Sequence, residues 1–283
     1  MKSHLSTRYL IAVCATLFLA APLLAQSRGQ RRRQPPDQFA TVNGVRLHYL
    51  DWGGHGDVLL FLAGLGDSVH RFDSFAPRFL DRFHAVGFTR RGQEASAKPS
   101  TGYALRTLAD DIRAFMDLKG IGHATLVGHS IAGAEMTTFA ALYPTRLTAL
   151  VYLDAAYDYA QAHELAAGGG LASANPDLSL EAISRASRVH PDYAAITVPA
   201  LAFFVLYDTP YVTSQMDARA RANSELAFRI LEGGYKREQI DLFRTTVKHG
   251  RVIEWHDTNH FFFDDPKHSV EAARIIREFL QMP

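Results

Sequence analysis

Residues 124–133 read ATLVGHSIAG. The first half is an apolar run of strand type, and a helical pattern follows from Ala132 through Tyr143. A serine placed where a strand turns sharply into a helix is lifted clear of the sheet edge, with its Oγ exposed. It also lies beside the first amides of that helix, whose unpaired N–H groups favour negative charge. Such a turn presses its neighbours against backbone, so they must be small. Gly128 and Ala132 meet that demand, and Gly133 allows the helix to approach the sheet closely. Ser130 is therefore the candidate nucleophile.

Further apolar runs lie on either side of this joint: Phe39–Val42, Val45–Asp51, Val58–Ala63, His84–Thr89, Ala149–Leu153, Ala200–Leu206 and Arg251–Trp255. The first two flank Asn43-Gly44, a hairpin signal because both residues tolerate positive φ. Val58–Ala63 is continuously apolar, as a strand buried on both faces must be. Helical patterns alternate with these runs. Leu105–Leu118 sets Leu108, Ile112, Phe115 and Met116 on one side, and Asp265 as N-cap with Pro266 in the first turn opens a last helix. The alternation predicts an α/β fold: a mostly parallel eight-stranded sheet, antiparallel at its beginning, with helices on both faces. Residues 155–197, rich in Ala and Gly with a short amphipathic stretch near Leu180–Val189, are expected to form a small lid insertion over the sheet's carboxyl edge.

The chain has 283 residues, with 47% hydrophobic and 21% charged, which argues against a disordered chain. Residues 39–283 carry 24 Lys and Arg against 28 Asp and Glu, so no nucleic-acid partner is expected. Lys2 and Arg8 precede an apolar run from Leu10 to Leu24, with Ala25 as a small residue for cleavage. Residues 1–25 thus read as a secretory signal peptide. The run is shorter than the ~20 residues that span a bilayer and is broken by Pro22, so no stable membrane insertion is expected after cleavage. A secreted or periplasmic location follows. Residues 26–38, with Arg28, Arg31, Arg32 and Arg33, read as a flexible basic linker, and residues 39–283 as the folded domain. Cys14 is the only cysteine, which leaves the mature chain without a thiolate or a disulfide.

The GHSIAG string between strand and helix resembles the α/β-hydrolase family at its nucleophile elbow, with Ala132 in place of the usual second glycine. The resemblance covers nearly all of residues 39–283 and implies a chain order of serine, acid, histidine. It implies His260 as the general base, because His260 follows the last strand and precedes the last helix. Two carboxylates suit the acid position. Asp208 follows a V-P-x-L strand (Val198-Pro-Ala-Leu201) at the family's distance, and Asp154 ends the preceding strand run. The strand pattern favours Asp208, with Asp154 the alternative, although the glycine and second acid that often precede the family's aspartate are missing. By the same resemblance, the oxyanion hole is formed by the amides of Ile131 and of Leu65, the latter within Ala63-Gly64-Leu65-Gly66.

Thr89-Arg-Arg-Gly92 resembles a structural turn in which arginine braces loops, and His256 reads as structural. Tyr157, Tyr159 and Leu165 from the lid, with Phe261, are candidates to line the acyl pocket. The resemblance implies a serine hydrolase of carboxylic esters acting on a small-molecule acyl substrate, with no cofactor and no metal. Amide, lactone or carbon–carbon bond cleavage uses the same groups. Haloalkane or epoxide opening is disfavoured, since it needs a carboxylate where Ser130 stands. The rival reading is a non-catalytic small-molecule binder that keeps the fold. Oligomeric state leaves no mark in the sequence.

Overall fold

The computed structural model describes residues 34–171, 176–210 and 212–281. The expected signal peptide and most of the basic linker lie outside the described residues. Among those described, no helix is long and apolar enough to cross a membrane.

Eight strands form one sheet: β1 (Gln38–Val42), β2 (Val45–Gly53), β3 (Asp57–Leu62), β4 (Phe83–Phe88), β5 (Ala124–His129), β6 (Leu147–Leu153), β7 (Ala200–Val205) and β8 (Gly250–Trp255). Their spatial order is β1-β2-β4-β3-β5-β6-β7-β8. Pairings β1–β2 and β2–β4 are antiparallel, and all the others are parallel. The β1–β2 hairpin turns at Asn43 and Gly44, both at positive φ (47° and 77°), the conformation that the Asn-Gly pair predicts.

Seven helices accompany the sheet among the described residues: α1 (Leu105–Leu118), α2 (Ala132–Leu142), α3 (Tyr159–Gly168), α4 (Leu178–Ala186), α5 (Ala218–Ile230), α6 (Lys236–Thr246) and α7 (Pro266–Leu280). Asp265 caps α7 by accepting from the amides of Lys267 and His268. The period-2 alternation of buried strands sends side chains to two cores. Leu60, Leu62, Leu126, Leu150, Ala202 and Phe204 pack with α1, α2 and α6 on one face. Leu59, Phe61, Val127, Val151, Leu201 and Phe203 pack with a phenylalanine cluster (Phe72, Phe75, Phe79) and α7 on the other.

The joint between β5 and α2 is closely packed. A methyl built on Gly133 would lie 1.8 Å from the carbonyl oxygen of Ala155, which is backbone and cannot yield. One built on Gly128 would lie 2.1 Å from Met136 Sδ, near the end of a flexible side chain. Gly133→Ala is therefore expected to destabilise the fold by about 2–3 kcal/mol, and Gly128→Ala by distinctly less, because Met136 can change rotamer. Denaturant melts of the two variants check this ordering.

Candidate active site

Ser130 follows β5 directly and has a φ of +55°, a conformation that costs energy for any residue but glycine. The turn is held by the Ser130 amide donating to Leu153 O (3.3 Å) and the Gly133 amide donating to Ser130 O (2.9 Å). Asp154 makes the corresponding turn at the end of neighbouring β6, with φ +49°. His260 lies between β8 and α7. Its Nδ1–H donates to Asp154 Oδ2 at 2.6 Å, and its backbone amide donates to Tyr207 Oη at 2.9 Å. Ser130, Asp154 and His260 all line one cavity of about 330 Å³.

The acid at His260 is thus Asp154, which corrects the preference for Asp208. Asp154 is 2% exposed, and its Oδ1 accepts from the Val205 amide (3.0 Å) and from the Tyr157 hydroxyl. The left-handed turn at Asp154 aims the carboxylate inward. Asp208 lies beyond the end of β7 with its side chain 74% exposed, where it accepts from His256 Nδ1 at 3.1 Å. Burial by itself would raise the pKa of Asp154. The hydrogen bond and charge of His260, the charge of Lys236 and the Tyr157 hydrogen bond outweigh it, and bring the carboxyl down to about 2.

His129, buried beside the serine, donates from Nε2 to His260 O at 3.0 Å, and its Nδ1 finds no hydrogen-bond partner among the described residues. Burial, reinforced by His260, pushes this imidazole well below its ordinary 6.5. The two groups give acid instability in two windows. Below 6.5 the unfolded His129 takes a proton that the folded one refuses, so stability falls as pH falls from there. Asp154 adds stability above its unfolded value of 3.8, and that contribution fades as pH drops toward 2. The second contribution is on the order of 2 kcal/mol. Thermal melts across pH are expected to show His129→Asn flattening the upper window and Asp154→Asn the lower.

The loop after β3 abuts the serine: a methyl built on Gly64 would lie 3.3 Å from Ser130 Cβ and 2.9 Å from His129 Nδ1. Its carbonyls are held by two buried side chains. Arg90, ion-paired to Glu135, donates to Ala63 O (3.0 Å), and Gln93 Nε2 donates to Gly64 O (3.1 Å) and Asp67 O (2.8 Å). Gln93 Oε1 in turn accepts from the Gly66 amide at 3.1 Å. The expected bracing role of the Thr89–Gly92 turn takes this form at Arg90, while Arg91 makes a two-point ion pair with Asp111 (2.6 and 2.7 Å). Leu65 and Ile131, whose amides are the expected oxyanion donors, pack with Tyr103, Leu180 and Ile183, so α4 of the insertion roofs this end of the site.

The cavity wall has two sources. Tyr157, Tyr159 and Ala162 come from the insertion, as expected for the two tyrosines. Leu165 is 39% exposed and is not among the lining residues; nor is Phe261, which lies under the Arg71 guanidinium at 4.8 Å. The larger share comes from the β7–β8 connection, which the sequence reading missed: Ser224, Ala227 and Phe228 on α5, Leu231, Glu232 and Tyr235 in a single π-helical turn (Leu231–Tyr235), and Lys236 at the start of α6. Such turns recur at functional sites because they push a side chain out of helical register. Lys236 Nζ is buried there, donating to Val205 O (2.6 Å) and pairing with Glu232 (2.5 Å). A broader hollow of about 810 Å³, lined by Gln34, Pro35, Pro36, Trp52 and Leu80 among others, holds no nucleophile.

Residues 57–175 match the family model described as the alpha/beta hydrolase fold. Over that stretch the chain is similar to the α/β-hydrolase family, and its eight-stranded sheet has the α/β-hydrolase fold. It is 37% identical over 101 residues to a 2-(acetamidomethylene)succinate hydrolase of Mesorhizobium japonicum, covering 36% of each chain. It is 34% identical over 106 residues to a bifunctional esterase/perhydrolase of Acinetobacter calcoaceticus, covering 37% of this chain and 38% of that one. These matches span little more than a third of either relative's length. The crystal structure of an E-2-(acetamidomethylene)succinate hydrolase superposes with a TM-score of 0.61 at 20% identity, covering 88% of this chain and all of that one, a likeness of fold.

Proposed function

We propose that this α/β-hydrolase-fold protein is a serine hydrolase that cleaves a carboxylic ester or a related acyl bond. The observation that carries this is the 2.6 Å link from His260 Nδ1 to buried Asp154, in the same cavity as a serine held at positive φ. With Nδ1 committed to the carboxylate, Nε2 is the nitrogen left to take the serine proton. Ser130 Oγ attacks the acyl carbonyl, and the amides of Leu65 and Ile131 hold the oxyanion. The imidazolium, stabilised by Asp154, returns its proton to the leaving group, and water then releases the acyl chain. The phenyl, phenol and alkyl groups of Phe228, Tyr157, Leu231 and Ala227 suit a small or medium apolar substrate. Relatives named as a hydrolase and as an esterase/perhydrolase support hydrolysis over binding alone. The basic, apolar and small-residue order of residues 1–25 supports export to the periplasm or medium.

A fluorophosphonate probe tests the reading: the wild type labels rapidly and Ser130→Ala does not. A wild type that stays inert, yet binds small apolar ligands, would establish the binder instead. p-Nitrophenyl esters of increasing chain length are expected to show an optimum set by cavity depth.

A further inference from the structure

Away from the cavity, the segment leading into β1 folds back so that Asp37 meets two histidines. Asp37 Oδ1 is 3.0 Å from His70 Nε2 and 3.3 Å from His48 Nε2. The three ligand-type atoms lie within 4.8 Å of one another. Each ring is fixed from behind. His70 Nδ1 lies 2.8 Å from Asp73 Oδ2, and His48 Nδ1 lies 2.9 Å from Thr89 Oγ1. His48 is 1% exposed, and its buried Nε2 has no hydrogen-bond partner among the described residues.

The tautomers make this arrangement informative. A carboxylate only accepts, so His70 Nδ1 carries the proton given to Asp73, and Nε2 meets Asp37 either as the second N–H of an imidazolium or as a lone pair with a cation between them. An acceptor facing an acceptor at 3.0 Å needs positive charge between them. A second imidazole nitrogen faces the same oxygen at 3.3 Å. In a tetrahedral zinc site with bonds near 2.05 Å, ligand atoms stand about 3.4 Å apart. A carboxylate behind a ligating histidine is the usual device for setting its tautomer and basicity, and Asp73 stands in that place. Two imidazoles and one carboxylate are a donor set suited to zinc and neighbouring divalent transition metals.

We propose that His48 Nε2, His70 Nε2 and Asp37 form a binding site for a divalent transition metal of the zinc type, with the fourth position open to water. The expectation of no metal rested on the reaction chemistry at Ser130 and does not bear on this site. The ligands come from the segment before β1, from β2 and from the turn after β3. The ion therefore clips the start of the folded domain to the sheet.

Tag-free, chelator-stripped full chain titrated with Zn²⁺ tests this. One zinc ion per chain is expected by mass spectrometry of the dialysed protein, together with a rise in Tm on loading. His70→Ala is expected to abolish the retained zinc, and Asp37→Ala to weaken binding by 10-fold or more. His70 is preferred over buried His48 for substitution, since losing His48 risks the fold. Co²⁺ loading reports the geometry through its visible absorption, which His70→Ala should also remove. If the wild type retains no more zinc than His70→Ala and its Tm is unmoved by the metal, the site is overturned, and a proton on His70 supplies the charge.

Discussion

Replacing Ser130 by alanine is expected to lower kcat toward a cleavable ester by about 10⁴- to 10⁶-fold. The hydroxyl is the proposed attacking group, and it shares its cavity with His260, the proposed base. His260→Ala is expected to cost about as much, and the double variant little more than either single one, because the two groups act as a unit. Stability moves the other way. Ser130 sits at φ +55°, so Ser130→Gly is expected to raise stability by about 1 kcal/mol while turnover disappears. A serine kept for structure would show the reverse pattern: retained turnover and no gain from glycine. Steady-state kinetics paired with denaturant melts on the same preparations distinguish the two.

Asp154→Asn is expected to lower kcat by about 10⁴-fold, whereas Asp208→Asn should leave it within about twofold. The contrast follows from what each carboxylate touches. Asp154 fixes the His260 ring through a 2.6 Å bond and stabilises its protonated form. Asparagine keeps a carbonyl oxygen for the Val205 amide and the Tyr157 hydroxyl, so the local fold survives while the imidazole loses its charged partner. Asp208 meets only the exposed His256 in a solvent-facing pair, a type worth little. Equal losses from both substitutions, or a larger loss at Asp208, would remove Asp154 from the proposed triad.

Much of the scaffold was legible in the sequence because its signals are local. Leu105–Leu118 forms the helix its apolar stripe predicts, and Asp265-Pro266 starts the last one. The apolar runs lie within a residue or two of the observed strands, and the small residues around Ser130 are required by contacts under 3 Å. The acid was ambiguous for a physical reason. Asp154 and Asp208 both follow strands at the same sheet edge. Only tertiary packing decides which of the two turns inward, and a positive φ at an aspartate leaves no trace in composition. The immediate succession from strand to Asp154, matching that from β5 to Ser130, was the available clue. The cavity wall was hidden for another reason. Glu232-Gly-Gly-Tyr235 carries two poor helix formers, yet it folds within a π-helical turn from which Glu232 and Tyr235 line the cavity. His48 and His70 were likewise unremarkable among thirteen histidines until the fold brought them to one aspartate.

Because reacting groups sit on strand ends while most of the cavity lining belongs to the excursion between β7 and β8, the molecule separates what it does from what it does it to. Ala227, Phe228 and Leu231 line the cavity without a hydrogen bond to Ser130, Asp154 or His260, so they can change size or polarity while those anchors stay in place. Diversification of this protein toward new substrates has an open route there, one that leaves the chemical engine untouched.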